Sequence, residues 1–347
     1  MKRPISLVVS LILIAVFLTG CAAPPAPTAA PPATVVVVIT ATPGPMEPTA
    51  VPPTAAPTTV MVITATPPPA TAAPAATAAP TAVFQLPDGA VAQKGKLLIC
   101  TDFPYPPQEF YDESGNPQGL DVEVGTAIAT HLGLQVEFIN SVFDTIILAV
   151  KGGKCDIAIS AQNVTADRSK QVSQIPYFQA GQSMVAAKGN PDNINTPMDL
   201  CGKSVAAESG TTEADYIAGT GDYKAKGGLT QACTKGGKKP IDLVVTQKDT
   251  DALQQLQAGK VTVYFADTPP AAYYTVQHPD QFELAGQVLE TAQEGISVPC
   301  GAENCTGKPL SEVGQAVQTA LKSMMADGTY TKILTKWNLT NGAVTLP

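Results

Sequence analysis

Histidine and tryptophan are almost missing from this chain, which holds two His and one Trp in 347 residues. His131 and His278 are far apart, and no Cys-x-x-Cys pair occurs among the seven cysteines, so a zinc site has no recognisable donor set. Nor is there a Ser/His/Asp arrangement or a glycine-rich phosphate loop. Neither a metal nor a cofactor is expected. Charged residues are scarce, 14% of the chain, and acids outnumber bases. Setting aside Lys2, Arg3 and Glu47, the remaining 19 basic and 28 acidic residues carry a net charge of −9. That balance argues against nucleic acid and anionic membrane surfaces as partners. Past residue 18 no apolar run approaches the ~20 residues needed to cross a bilayer as a helix, so the rest is expected to be soluble.

What is present begins at the N-terminus. Lys2 and Arg3 precede an apolar run from Ile5 to Leu18, followed by small residues, the parts of a secretory signal peptide. Leu18-Thr19-Gly20-Cys21 resembles the bacterial lipobox. The resemblance implies that residues 1–20 are a lipoprotein signal peptide, cut before Cys21, whose sulfur carries diacylglycerol. The alternative is an ordinary signal peptide with a chance cysteine at its end. Several acyl chains on one residue anchor stably, where one myristoyl-length chain is marginal. The protein is therefore expected outside the cytoplasm, held to the cell membrane by lipid.

Residues 21–82 are expected to form a tether. Glu47 is the only charge between Ala22 and Thr81, and 17 of the 32 prolines lie between Pro24 and Pro87. Such a stretch buries too little apolar surface to offset its ordering entropy, so an extended, partly polyproline leash results. Val36–Pro43 recurs as Val60–Pro67, read as duplicated linker, with threonines open to glycosylation, in preference to a β-forming contact segment. At about 3 Å per residue the leash reaches on the order of 150 Å.

With Cys21 assigned to lipid, six cysteines remain, and an even number in an exported chain reads as disulfides. Cys300 and Cys305 are close enough to staple one loop, and Cys201 with Cys233 brackets one segment. Elimination leaves Cys100 with Cys155.

From about Val83 onward, short apolar runs alternate with helical spacing. Strands are expected at Lys96–Cys100, Gln135–Ile139, Asp156–Ser160, Lys203–Ala207, Ile241–Val245 and Val261–Phe265. Helices are expected at Val122–Leu132, Thr145–Val150, Glu213–Ile217, Thr250–Ala258 and Pro270–Gln277, with a closing pair at Ser311–Ala326 and Thr329–Trp337. That alternation means an α/β fold with mostly parallel sheets. Ligands of such folds sit beyond the carboxyl ends of the strands. Asp102, Ala161–Arg168, Ser209–Glu213 and Asp267 occupy those positions.

Those segments resemble the family-3 periplasmic solute-binding proteins, which bind polar amino acids for ABC importers. The landmarks run in order from Lys96 to Asn338. They include Thr101-Asp102-Phe103-Pro104-Tyr105-Pro106-Pro107, Gly119-Leu120-Asp121-Val122 and Asn163-Val164-Thr165-Ala166-Asp167-Arg168. Gly210-Thr211-Thr212-Glu213, Asp267-Thr268-Pro269-Pro270 and Asp327-Gly328-Thr329-Tyr330 follow. The resemblance implies a two-lobed periplasmic-binding-protein-like type II fold, each lobe a mostly parallel sheet flanked by helices. Lobe one is expected at 83–182 and 292–347, lobe two at 183–291, with crossovers near Gln182–Ala186 and Leu289–Ile296.

A buried amino acid needs one partner for its α-carboxylate and another for its α-ammonium. Arg168 matches the family's carboxylate-binding position, where a planar guanidinium donates two parallel hydrogen bonds. Gly210, Thr211 and Thr212 turn a strand into a helix, so they either complete an anion site, cap the helix, or both. Asp267 is the candidate for the ammonium, and Phe143 and Tyr105 match the aromatics that flank the ligand's side chain. Asp102 is the specificity question, since relatives that prefer cationic side chains have an acid there and many relatives with other ligands also have Asp. Ala161 and Asn163 belong to the loop after the third strand. Gln108, Gln162 and Asn163 stand where relatives often differ, and are expected to add amide groups to the cleft.

The implied function is a monomeric amino-acid receptor that closes on its ligand and delivers it to an ABC permease. Two alternatives stand beside it. One is a cyclohexadienyl-dehydratase-like enzyme, with Glu213 recruited as general acid. The other is a sensor that signals without transport. The residues do not rank Gln, Glu, Arg, Lys or His as the ligand.

Overall fold

A computed structural model describes residues 86–346. The signal peptide, Cys21 and the tether up to residue 82 lie outside the described residues. The first part of the chain contributes β1 (Lys96–Thr101), a short β2–β3 hairpin (Phe110–Tyr111 and Pro117–Gln118), α1 (Leu120–His131), β4 (Gln135–Asn140), α2 (Ile146–Lys151), β5 (Ile157–Ala158) and α3 (Ala166–Ser169). A 15-residue strand, β6 (Ser173–Ala187), then leads to β7 (Ser204–Glu208), α4 (Thr212–Ala218), α5 (Leu229–Lys235), β8 (Asp242–Thr246), α6 (Asp249–Gln257), β9 (Val263–Asp267) and α7 (Thr268–Gln277). The 17-residue β10 (Phe282–Val298) returns the chain to α8 (Glu312–Ala326) and α9 (Thr329–Lys336).

The strands line up as β4-β1-β5-β10-β6-β9-β7-β8. β1 pairs in parallel with β4 and β5, and β7 pairs in parallel with β8 and β9. Between these parallel halves run β6 and β10, antiparallel to each other and long enough to serve both. This is the two-lobed α/β architecture. Leu97, Ile99 and Ile157 are fully buried because helices cover both faces of their half-sheet, and α1, α8 and α9 supply Val124, Ile128, Val317, Leu321 and Leu334 against them. The other half is packed on two sides as well, around Val205, Ile217 and Phe265 on one and Ala206, Leu253 and Tyr264 on the other.

The register of β6 with β10 is interrupted between Ala285 and Leu289 and again between Leu289 and Ala292. Ala180 faces Ala292 and Gln182 faces Leu289, whereas Gln182–Ala186 already pairs with β9 of the second half. The crossing therefore lies at Ala180–Gln182 and Leu289–Ala292, a few residues earlier in β6 than expected. Each expected strand and helix occurs within a few residues, except that the third strand shrinks to Ile157–Ala158. The expected cysteine pairs stand with Cα–Cα separations of 5.7 Å (Cys100/Cys155), 5.5 Å (Cys201/Cys233) and 5.7 Å (Cys300/Cys305), all within the range a disulfide spans.

Candidate functional site

Strand direction brings the carboxyl ends of β1, β5, β7 and β9 to one place, where the two halves face each other across a nearly closed cavity of about 10 Å³. Asp102, Tyr105, Phe143, Ala161, Asn163, Arg168, Thr211, Thr212 and Asp267 all line it. Gly210 lines a wider outer cavity that shares Phe143, Asn163, Arg168 and Thr212 with the inner one.

Arg168 sits in the single turn of α3, whose N-cap Thr165 accepts from the Arg168 N–H. Its guanidinium is held on three sides. It donates to Asn163 O at 2.8 Å and to Gly210 O of the opposite half at 2.9 Å, and it lies over the Phe143 ring with 5.3 Å to the centroid. Burial pulls its pKa down, while the carboxylates of Glu213 and Asp267 oppose that shift. Phe143 therefore shapes the site partly by stacking on the arginine.

Asp267 ends β9 and is 5% exposed. Tyr105 reaches across to donate its hydroxyl to Oδ2 at 2.9 Å, and Asn163 donates to Oδ1 at 3.4 Å. Burial raises its pKa, and those two donors counter the rise. Glu213 beside it is also held up by burial and by the Asp267 charge, so one proton between the two is favoured over two ionised carboxylates. Asn163 further donates to Thr212 Oγ1 at 2.8 Å, and Gln182 reaches the same oxygen at 2.9 Å. Thr211 caps α4 by accepting from Ala214 N–H at 3.2 Å. In Ala161 the backbone turns to φ 45°, and its N–H donates to Asp121 Oδ2 at 2.8 Å.

Asp102 is 4% exposed and fully engaged. One carboxylate oxygen accepts from Phe143 N–H at 2.7 Å, and the other forms an ion pair with Lys248 from the opposite half. Gln108 corrects an expectation. It is fully buried and donates to Glu294 at 2.5 Å, within a network where Tyr177 donates to Asp121 at 2.6 Å, so it adds nothing to the cleft. Gln162 likewise turns inward, accepting from Ser297 at 2.8 Å, although it borders the outer cavity.

Three contributors escaped the sequence reading. Glu109 lines the inner cavity and accepts from Ser160 at 2.6 Å, and burial and the Asp121 charge push its pKa well above the usual carboxylate range. Glu208 ends β7, and burial with the Asp249 and Glu213 charges pushes it up to about 9. Lys248 stands two residues past β8 and N-caps α6. The rule that selected Asp267, a polar residue at a strand's carboxyl end, also points to Glu208 and Lys248. Only the fold distinguishes Glu109, whose loop turns back at the β2–β3 hairpin.

The family model of bacterial extracellular solute-binding proteins, family 3, matches residues 97–340, and the chain belongs to that family. Among similar proteins, ABC transporter arginine-binding protein 1 of Escherichia coli K12 is 28% identical over 246 residues, 70% of this chain and 90% of that one. L-cystine-binding protein TcyJ of the same organism is 23% identical over 248 residues, 71% of this chain and 84% of that one. Among solved structures, an ancestral arginine-binding protein bound to arginine is similar at 32% identity and a TM-score of 0.61, across 70% of this chain and 98% of that one. These are binding proteins of two-lobed fold, and this chain is likewise a solute-binding protein and not an enzyme.

Proposed function

We propose that the protein is a lipid-anchored, extracytoplasmic receptor that binds a polar amino acid between its lobes and delivers it to an ABC importer. The observation that carries this reading is the convergence of Arg168 and Asp267, from opposite halves, on one buried cavity. Arg168 takes the α-carboxylate and Asp267 the α-ammonium, since each opposite charge then meets a partner without water. Gly210, Thr211 and Thr212 border the carboxylate, Phe143 and Tyr105 border the side chain, and Ala161 and Asn163 complete the wall. The relatives' names, arginine-binding and L-cystine-binding among them, support an amino acid as the solute.

Lobe one comprises residues 83–182 and 292–347, and lobe two residues 183–291. The three cysteine pairs are disulfides, consistent with an oxidising compartment. Cys21 carries the lipid and the Pro/Thr/Ala-rich tether sets the reach of a monomeric receptor near its permease. The test is calorimetric titration of the full chain in detergent with the standard amino acids, and then of Arg168→Ala. At least one amino acid binds the wild type, and loss of the charge-assisted pair weakens it about 100-fold or more, from the ~3 kcal/mol such a contact carries. Retained affinity in Arg168→Ala sinks the carboxylate assignment.

A further inference from the structure

Arg168 is the only arginine past Arg3, and the turn that presents it is too short to hold itself. α3 spans Ala166–Ser169, a single turn. One turn fixes several backbone dihedrals for a single hydrogen bond, so its shape comes from what is attached to it. Two segments distant in sequence make those attachments. From lobe two, the Asp222 carboxylate accepts from Ala166 N–H at 2.8 Å and from Asp167 N–H at 2.9 Å. From lobe one, the loop after β10 reaches the other end of the turn. Cys305 N–H donates to Lys170 O at 2.9 Å, and Thr306 Oγ1 donates to Ser169 O at 3.4 Å. Lys170 is the C-cap residue of α3, so these donors satisfy carbonyls that a helix end leaves open. Opening of the cleft treats the two attachments differently. Asp222 leaves with lobe two, as does Gly210, whose carbonyl accepts from the guanidinium, whereas the loop travels with Arg168.

That loop has no regular structure of its own. Between the end of β10 at Val298 and the start of α8 at Glu312 the chain forms neither helix nor strand. Its placement rests on Cys300 and Cys305, whose Cα atoms stand 5.7 Å apart, with Cys305 4% exposed. Thr306 N–H donates to Asn304 Oδ1 at 3.0 Å and Lys308 N–H to Cys305 O at 3.0 Å, so the two donors to α3 are presented from a fixed turn. The cysteines are 5 apart in sequence, and a cross-link over so small a ring does little for global stability, because that contribution grows with the size of the closed loop. Its effect is local: it fixes the direction of the Cys305 N–H.

We infer that the Cys300–Cys305 loop is a positioning element for Arg168: it caps the C-terminal end of the arginine's turn from within the same lobe and keeps the guanidinium aimed at the cleft when lobe two moves away. The inference rests on the reading of Arg168 as the carboxylate partner. Full-length protein in detergent, isotope-labelled at nitrogen and free of amino acid, is compared by NMR as wild type, Cys300→Ser/Cys305→Ser and Thr306→Val. Arg168→Ala identifies the Arg168 side-chain N–H signal. Its exchange with water is expected to be about tenfold faster in the double variant, and about two- to threefold faster in Thr306→Val. Arginine, glutamine and histidine, each beside its α-amide, are then titrated. The double variant should narrow the preference for the free acid over the amide about tenfold, the order carried by one charge-assisted hydrogen bond. A cross-link with only a folding role lowers the melting temperature and moves neither quantity. Unchanged Arg168 exchange, or an unchanged acid-to-amide ratio, in a folded double variant overturns the inference and leaves the receptor intact. Should the double variant fail to fold, the exchange rate in Thr306→Val decides. Were none of the three acids to bind the wild type, the receptor reading would lose its support and the exchange rates alone would decide the positioning.

Discussion

Glu208 provides a test of the cleft's electrostatics that needs no ligand. Its carboxyl closes β7 with 6% exposure, and burial, reinforced by Asp249, Glu213 and Asp144, raises its pKa from 4.5 to about 9. In the unfolded chain the group titrates near 4.5, so below that pH both states hold the proton and it contributes nothing to pH dependence. Between there and about 9 the folded protein keeps a proton that the unfolded chain releases, so stability falls as pH rises, by about 1.4 kcal/mol per unit. The accumulated loss at pH 7 is about 3 kcal/mol. Asp249, pushed up to about 7 mainly by burial, acts in the same direction and levels off earlier. Glu208→Gln keeps the shape and polarity and removes the titration. In scanning calorimetry of the full chain between pH 5 and 8, the wild type is expected to lose stability as pH rises. The variant should match it near pH 5 and melt higher at pH 7, by on the order of 5–10 °C for a domain of this size. Equal slopes for the two proteins from pH 5 to 8 would refute the burial argument.

Gly210→Ala should impair closure more than folding. Gly210 has φ 77°, and an added Cβ would stand 2.7 Å from Asp144 Cβ and 2.8 Å from Asp144 Cα of the opposite half, so titration should report at least tenfold weaker binding. Asp222 spans the rim, its carboxylate accepting from Ala166 N–H at 2.8 Å and Asp167 N–H at 2.9 Å, at the first turn of the helix that carries Arg168. Asp222→Ala should speed ligand release about two- to fivefold in stopped flow, since an exposed contact of this kind is worth ~0.5–1 kcal/mol, and an unchanged off-rate would show that the rim contact is not part of closure.

The fold was largely readable because its strands announce themselves by composition. Runs such as Leu97-Leu98-Ile99 and Val263-Tyr264-Phe265 are apolar on both faces, as strands covered by helices on both sides must be. The long strands were less readable for the opposite reason. Ser173–Ala187 and Phe282–Val298 pass from one lobe to the other, so their burial pattern changes along their length and no single period describes them. In β10 the stretch Glu290–Glu294 is polar and partly exposed, except for Glu294 itself, which is buried against Gln108 and Tyr177. Side-chain direction was harder still. Gln108 and Glu109 are neighbours in one loop, yet the first turns into the lobe and the second faces the cavity.

Asp102 shows why such a site is not read one residue at a time. By position alone it does not separate cationic from other ligands. Its carboxylate in the folded protein is already satisfied, by a backbone N–H from its own lobe and an ammonium from the other. The same logic governs Asp267, whose Tyr105 and Asn163 partners also come from across the cleft. These contacts exist only when the lobes are together, so the charge each acid offers to a ligand depends on closure, and the residue opposite it matters as much as the acid itself. A ligand that replaces a cross-cleft partner therefore weakens closure by the contact it removes.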